Sequence, residues 1–142
     1  MRPEPAIDAL RARIEKIEGR SLRARSVLPF GIAELDARLP GGGLALGALH
    51  EIAGGGNGAI DGAAAALFGG GVAARTKGKV LWCITRPDLF APALAQAGLK
   101  PDRVIYVEAG DYKTILACME EGIRHGGLGA VVGEVARLTM TA

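Results

Sequence analysis

The residues EIAGGGNGAIDG, Glu51 to Gly62, place a glycine-rich loop between an apolar run and an alanine-rich helical pattern. That order suits a phosphate-binding loop, in which backbone N–H groups cradle phosphate oxygens. A working loop reads GxxxxGK[ST], where the lysine meets the outer phosphates and the hydroxyl holds magnesium. Starting the pattern at Gly54 and passing over Gly55, Gly56, Asn57 and Gly58 puts Ala59, Ile60 and Asp61 in its last three places. The glycines are kept, and the lysine and hydroxyl are replaced.

The charge change has a calculable weight. At an effective dielectric near 20, two unit charges about 4 Å apart interact by roughly 4 kcal/mol. Losing a cation at Ile60 and gaining an anion at Asp61 therefore weakens phosphate binding by several kcal/mol. Each 1.4 kcal/mol is about tenfold in affinity. No cofactor and no metal site is expected, although loop amides still favour an anion.

Other polar residues carry less. Arg86 and Asp88 follow an apolar run and sit at the mouth of the expected site, as an ion pair or with Asp88 capping the next helix. Glu134 lies one residue beyond Gly133 near the end of the last apolar run. His50 beside Glu51 lacks a nucleophile, and neighbours in an extended chain face opposite ways, so a structural histidine is expected. His125, after Arg124 near a helix end, complements the helix dipole. Glu120 and Glu121 read as a solvated edge, and Trp82 as core.

These residues need elements to position them. The runs Ala48 to Ala53, Val80 to Ile84, Val104 to Glu108 and Gly129 to Val135 have strand length without in-out alternation, which predicts strands buried on both faces. Helical patterns lie between them: Ile60 to Thr76, with a bend or break at Gly69 to Gly71, then Leu89 to Ala97, then a helix capped by Asp111. Alternating strands and helices predict an α/β fold with a mostly parallel sheet and right-handed crossovers. Ahead of it, a short helix around Ile32 to Arg38 precedes Pro40 and three glycines, which need a tight excursion.

At the start of the chain, Ile7, Leu10, Ile14 and Ile17 recur at three and four residues, giving one apolar stripe on a helix of about Pro5 to Glu18. Gly19 stops it, and a basic stretch leads to Val27. Residues 1–27 are thus expected to form a helix and linker, and residues 28–142 the α/β core.

The 142 residues are 49% apolar and 23% charged, enough for one domain with a real core. Net charge is +2, so the chain lacks the footprint of a strong nucleic-acid binder. Within the first 25 residues seven basic side chains face four acidic ones, a surplus of three, which reads as a solvated helix face. DNA contact is left open. Cys83 and Cys118 have no metal-ligand spacing, fitting buried thiols in a reducing compartment. With no leader-like or membrane-length apolar segment, a cytoplasmic protein is expected.

Three blocks, LPFGIAELDARLPGGGLALGALHEI, VLWCITRPDLFAPALAQAGL and MEEGIRHGGLGAVVGEVARL, occur in order between Leu28 and Leu138. Together they resemble the ImuA family, RecA-like accessory proteins of bacterial damage-inducible mutagenesis, over about three quarters of the chain. The resemblance implies a RecA-like P-loop NTPase fold. It also implies an adaptor role in translesion synthesis, with ImuB and a damage-inducible polymerase as partners and the RecA filament as a further one. Against the RecA pattern, Ile84, Thr85 and Arg86 stand where a water-activating glutamate is expected, and Gly133 stands where the magnesium-side aspartate belongs.

The expected function is therefore a non-catalytic adaptor. Ile7, Leu10, Ile14 and Ile17 are the candidate partner or self-association surface, because an N-terminal helix in RecA-like proteins can dock on a neighbouring subunit. The alternative is a divergent ATPase or DNA-stimulated motor that borrows a cation, with Arg75, Lys77 or Arg86 nearest by sequence. ImuA-like proteins continue beyond the fourth strand, so a truncated sheet with an exposed edge, open to dimer pairing, is also expected.

Overall fold

The computed structural model describes residues 5–17, 26–56 and 58–135. The chain forms two compact units, Met1–His50 and Glu51–Ala142. The division expected after residue 27 falls inside the first. The linker from Gly19, Asn57 of the glycine loop and the last seven residues lie outside the described residues.

In the first unit, α1 spans Pro5–Ile17, as the apolar period predicts. Ile7, Leu10 and Ile14 are all exposed, and the Ile17 side chain is outside the described residues. Asp8 and Arg11 form an exposed ion pair one turn apart at 3.7 Å. Farther on, β1 (Val27–Leu28) and β2 (Leu44–Ala45) pair antiparallel around the four-residue helix α2 (Ala33–Asp36). The Asp36 carboxylate accepts from the backbone N–H groups of Phe30 at 2.7 Å and Gly31 at 2.9 Å, pinning the chain that enters α2. Gly41 and Gly42 adopt positive φ after Pro40, which is the tight excursion that stretch requires.

The second unit is an α/β layer. Helix α3 (Ala59–Ala74) leads to β3 (Val80–Ile84), α4 (Ala91–Gln96), β4 (Val104–Glu108), α5 (Tyr112–His125) and β5 (Ala130–Gly133). The three strands are parallel in the order β4-β3-β5, with Val80 opposite Val104 and Ala130. The sheet is flanked by helices, as the alternation predicts. Val80, Trp82 and Ile84 face a core with Ala73, Leu94 and Leu99, while Leu81 and Cys83 point to the opposite face, toward α5.

Three expectations change. Ala48 to Ala53 forms no strand: Leu49 is 89% exposed and Ile52 half-exposed, because a strand exists only as paired backbone and this segment pairs with none among the described residues. β4 is not buried on both faces. It lies at the sheet edge, leaving Ile105 and Tyr106 exposed. Finally, α3 runs unbroken through Gly69 to Gly71. A Cβ at Gly70 would stand 2.7 Å from Leu94 Cδ2, so that glycine serves close packing rather than a bend.

Asp111 caps α5 as expected, accepting from the Thr114 N–H at 2.9 Å and its hydroxyl at 2.8 Å. Those bonds, led by the backbone one, hold its carboxyl below the usual range. At the other end Gly126 terminates α5 in the left-handed conformation. Arg124 donates to Glu120 at 2.5 Å and Glu121 at 2.8 Å, so both acids lie on a solvated edge.

Candidate functional site

The glycine loop enters α3 by closing on its first turn. A Cβ at Gly54 would lie 2.7 Å from Asp61 Cβ and 2.8 Å from the Asp61 carbonyl oxygen. One at Gly56 would lie 2.9 Å from Asp61 Oδ2, and those at Gly55 and Gly58 just beyond, at 3.7 and 3.6 Å from the carboxylate. At Gly54, where a Cβ would meet the Asp61 backbone, only glycine lets the chain approach this closely, whereas a Cβ at Gly55 or Gly58 would make ordinary contact. The loop therefore folds around the carboxylate of Asp61, which sits in the first turn of α3 where a negative charge suits the helix dipole. The first helical bond runs from Gly62 N to Gly58 O at 3.1 Å.

Ile60, in the lysine's place, is 86% exposed. Beside the loop is an open cleft of about 460 Å³ whose walls include Ile52, Gly54, Ala64 and Phe68, with Glu51 its one ionisable lining residue. That lining offers a polyphosphate no cation.

Two of the suggested replacement cations lie at the far end of α3 from the loop. Arg75 caps the far end of α3 and Lys77 follows it. At 1.5 Å per residue, the 16 residues of α3 separate them from the loop by about 24 Å. Arg86 pairs with Asp88 at 3.7 Å, both well exposed. That pairing was one of two expectations for Asp88. The other, a helix cap, fails: α4 starts at Ala91 after Phe90, without a side-chain cap.

Glu134 is turned inward. Its carboxylate accepts from Trp82 Nε1 at 2.7 Å, and its N–H donates to Cys83 O at 3.0 Å. Burial raises its pKa above the ordinary carboxylate value; the Trp82 bond opposes this, and the nearby negative charge of Asp88 adds to it. The structure thus brings the Trp82 indole from the middle of β3 onto Glu134, just past the end of β5, with the charge of Asp88 near enough to act on that carboxylate. No hydrogen bond or ion pair among the described residues joins them to the glycine loop. No group of three metal-ligating side chains occurs among the described residues.

His50 is structural, its Nε2 lying 2.7 Å from Ala45 O. His125 Nδ1 accepts from Gly127 N at 3.3 Å beside the α5 terminus. One residue unmarked by sequence reasoning stands out. Arg103 donates to the carbonyls of Ala74 at 2.7 Å, Thr76 at 2.8 Å and Gly78 at 2.6 and 2.9 Å, closing the end of α3 and the turn into β3. No motif announces it, since its partners are backbone atoms 25 to 29 positions away.

No helix among the described residues is long and apolar enough to cross a membrane. No family model and no solved structure matches the chain. Two curated relatives do: Protein ImuA of Caulobacter vibrioides strain NA1000 / CB15N and Protein ImuA of strain ATCC 19089 / CIP 103742 / CB 15. Each is 39% identical over 120 residues, 82% of this chain. The chain spans about half the length of these relatives, 49% of each. At that identity over most of its length, the chain belongs to the ImuA family.

Proposed function

We propose that this chain is a non-catalytic, RecA-like accessory protein of damage-inducible mutagenesis that works through protein contacts. The observation that carries the reading is the glycine loop folded around Asp61, with Ile60 out in solvent where a lysine would reach phosphate. A negative charge inside the loop repels the ligand such loops hold, and the lining of the adjoining cleft supplies no cation to offset it. Glu134 supports the same reading, because its carboxylate is engaged by Trp82 rather than turned outward to a metal.

The parallel sheet with helices on both faces is compatible with a RecA-like P-loop fold. A role in translesion synthesis, with ImuB and a damage-inducible polymerase as partners and RecA as a further one, follows from family membership and is a proposal for this chain. The exposed stripe Ile7, Leu10 and Ile14 on α1 is the contact surface we assign, either to a partner or to a second copy.

Calorimetric titration of Mg-ATP and Mg-ADP into the purified chain tests the reading, with an active RecA-like ATPase as control. No binding is expected. A Kd tighter than about 100 μM, roughly 5.5 kcal/mol, would overturn the charge argument in favour of a divergent ATPase.

A further inference from the structure

The two cysteines, 35 positions apart in sequence, meet in one layer of the second unit. Alternation along β3 puts Cys83 on the face away from Trp82, beside Gly133 of β5 in register. Helix α5 covers that face. A Cβ on Gly122 would collide with Leu81 Cδ2, and one on Gly133 with Met119 Sδ and Ile115 Cγ2. Cys118 lies three residues after Ile115 and one before Met119, on the same side of α5. Cys118 is therefore on the side of α5 that packs over the face of β3 carrying Cys83, near enough to help push the Cys83 thiol up. Both thiols are free; Cys83 is fully buried and Cys118 partly exposed.

We infer that Cys118 and Cys83 form an oxidisable pair, in which a peroxide reacts at Cys118 and Cys83 then closes an intramolecular disulfide between α5 and β3. In the first step Cys118 Sγ attacks a peroxide oxygen, the O–O bond breaks, water leaves and Cys118 becomes a sulfenic acid. In the second, Cys83 loses its proton and its sulfur displaces hydroxide from Cys118 Sγ, which departs as water. Two thiols are oxidised by two electrons, and hydrogen peroxide is reduced to two waters.

Exposure sets the order of events. A diffusing oxidant reaches Cys118 and not Cys83. Burial first, then the neighbouring Cys118, pushes the Cys83 thiol up to about 11, so it is unreactive toward reagents in solution. At neutral pH its thiolate fraction is on the order of 10⁻⁴. A group held in place has an effective concentration of up to about 10⁵ M, which offsets that fraction and lets Cys83 outrun millimolar external thiols. Every step uses only the described β3 and α5, so the inference does not depend on the adaptor reading.

The test is peroxide treatment of the folded chain, followed by thiol titration and peptide mapping without reductant. Both thiols should disappear together into one disulfide joining the Cys83 and Cys118 peptides, and dithiothreitol should restore them. Cys118→Ser should leave Cys83 unreacted. Cys83→Ser should leave a sulfenic acid at Cys118 that dimedone traps. Persistence of both thiols in the wild type would overturn the inference. So would oxidation of Cys118 to sulfinic acid as fast in the wild type as in Cys83→Ser. Should Cys83→Ser fail to fold, the wild-type map and Cys118→Ser decide the question, because Cys118 is partly exposed and tolerates serine.

Discussion

Trp82 Nε1 donates to the Glu134 carboxylate across 2.7 Å, linking the middle of the central strand to the end of β5. Trp82 is the only tryptophan and is buried, so its fluorescence reports the state of the core. Each partner is conditional on the other: the indole N–H needs an acceptor, and the half-buried carboxylate needs a donor.

This pair has a definite pH signature. The folded-state pKa of Glu134 is raised, so between the ordinary carboxylate value and the raised value the folded state holds more protons than the unfolded one. The contribution of this group therefore favours the fold at low pH and declines as pH rises through that window. Glu134→Gln should remove that part of the slope while keeping an acceptor for Trp82. Glu134→Ala should orphan the indole and cost about 1–3 kcal/mol. Urea denaturation followed by Trp82 fluorescence across that pH range reads both.

Arg103 is predicted to matter strongly for stability although it is only half-buried. Arg103→Ala should lower unfolding free energy by about 2–3 kcal/mol, since carbonyls at three positions lose a charged donor. Arg103→Lys should recover less than half, because an ammonium cannot fork across separated acceptors as a guanidinium does. Chemical denaturation of the two variants checks the ordering.

Two adjacent glycines of α3 should respond with opposite signs. Gly71→Ala meets nothing within 4 Å and should stabilise the helix by up to about 1 kcal/mol. Gly70→Ala drives a methyl into the buried Leu94 side chain and should cost about 1–3 kcal/mol. A pair of melting curves suffices, and equal shifts would contradict the packing described.

Paired changes in the loop should recreate ligand affinity. Ile60→Lys with Asp61→Thr exchanges an exposed apolar residue for a cation and withdraws the anion from the loop. Mg-ATP binding should strengthen at least tenfold, about 1.4 kcal/mol. Calorimetry under the conditions used for the wild type measures it.

Leu10→Asp with Ile14→Asp puts two charges into the exposed stripe of α1. Trp82-monitored stability should be unchanged, while self-association or partner capture should be lost. Mass in solution by light scattering, together with a pull-down, checks the two halves of that statement.

The sequence by itself determined the elements whose cause is local. Val80 to Ile84 and Val104 to Glu108 become strands at the residues their apolar runs mark. Asp111 caps the next helix because a short acceptor before an amphipathic run needs no tertiary help. The missing lysine was likewise visible in Ile60, since a side chain's charge is independent of the fold. Tertiary structure decided what depends on neighbours. Among the described residues, Ala48 to Ala53 is as apolar as a strand but pairs with none, and β4 is an edge strand because sheet order, unlike composition, assigns each strand its neighbours. Glycines at 69 to 71 announce a broken helix until Leu94 is seen packed against Gly70. Whether Asp61 faces solvent or fills the loop, and whether Glu134 meets a metal or an indole, depends on where residues distant in sequence come to rest. Local physics selects the elements, while pairing, burial and contact distance select what their side chains touch.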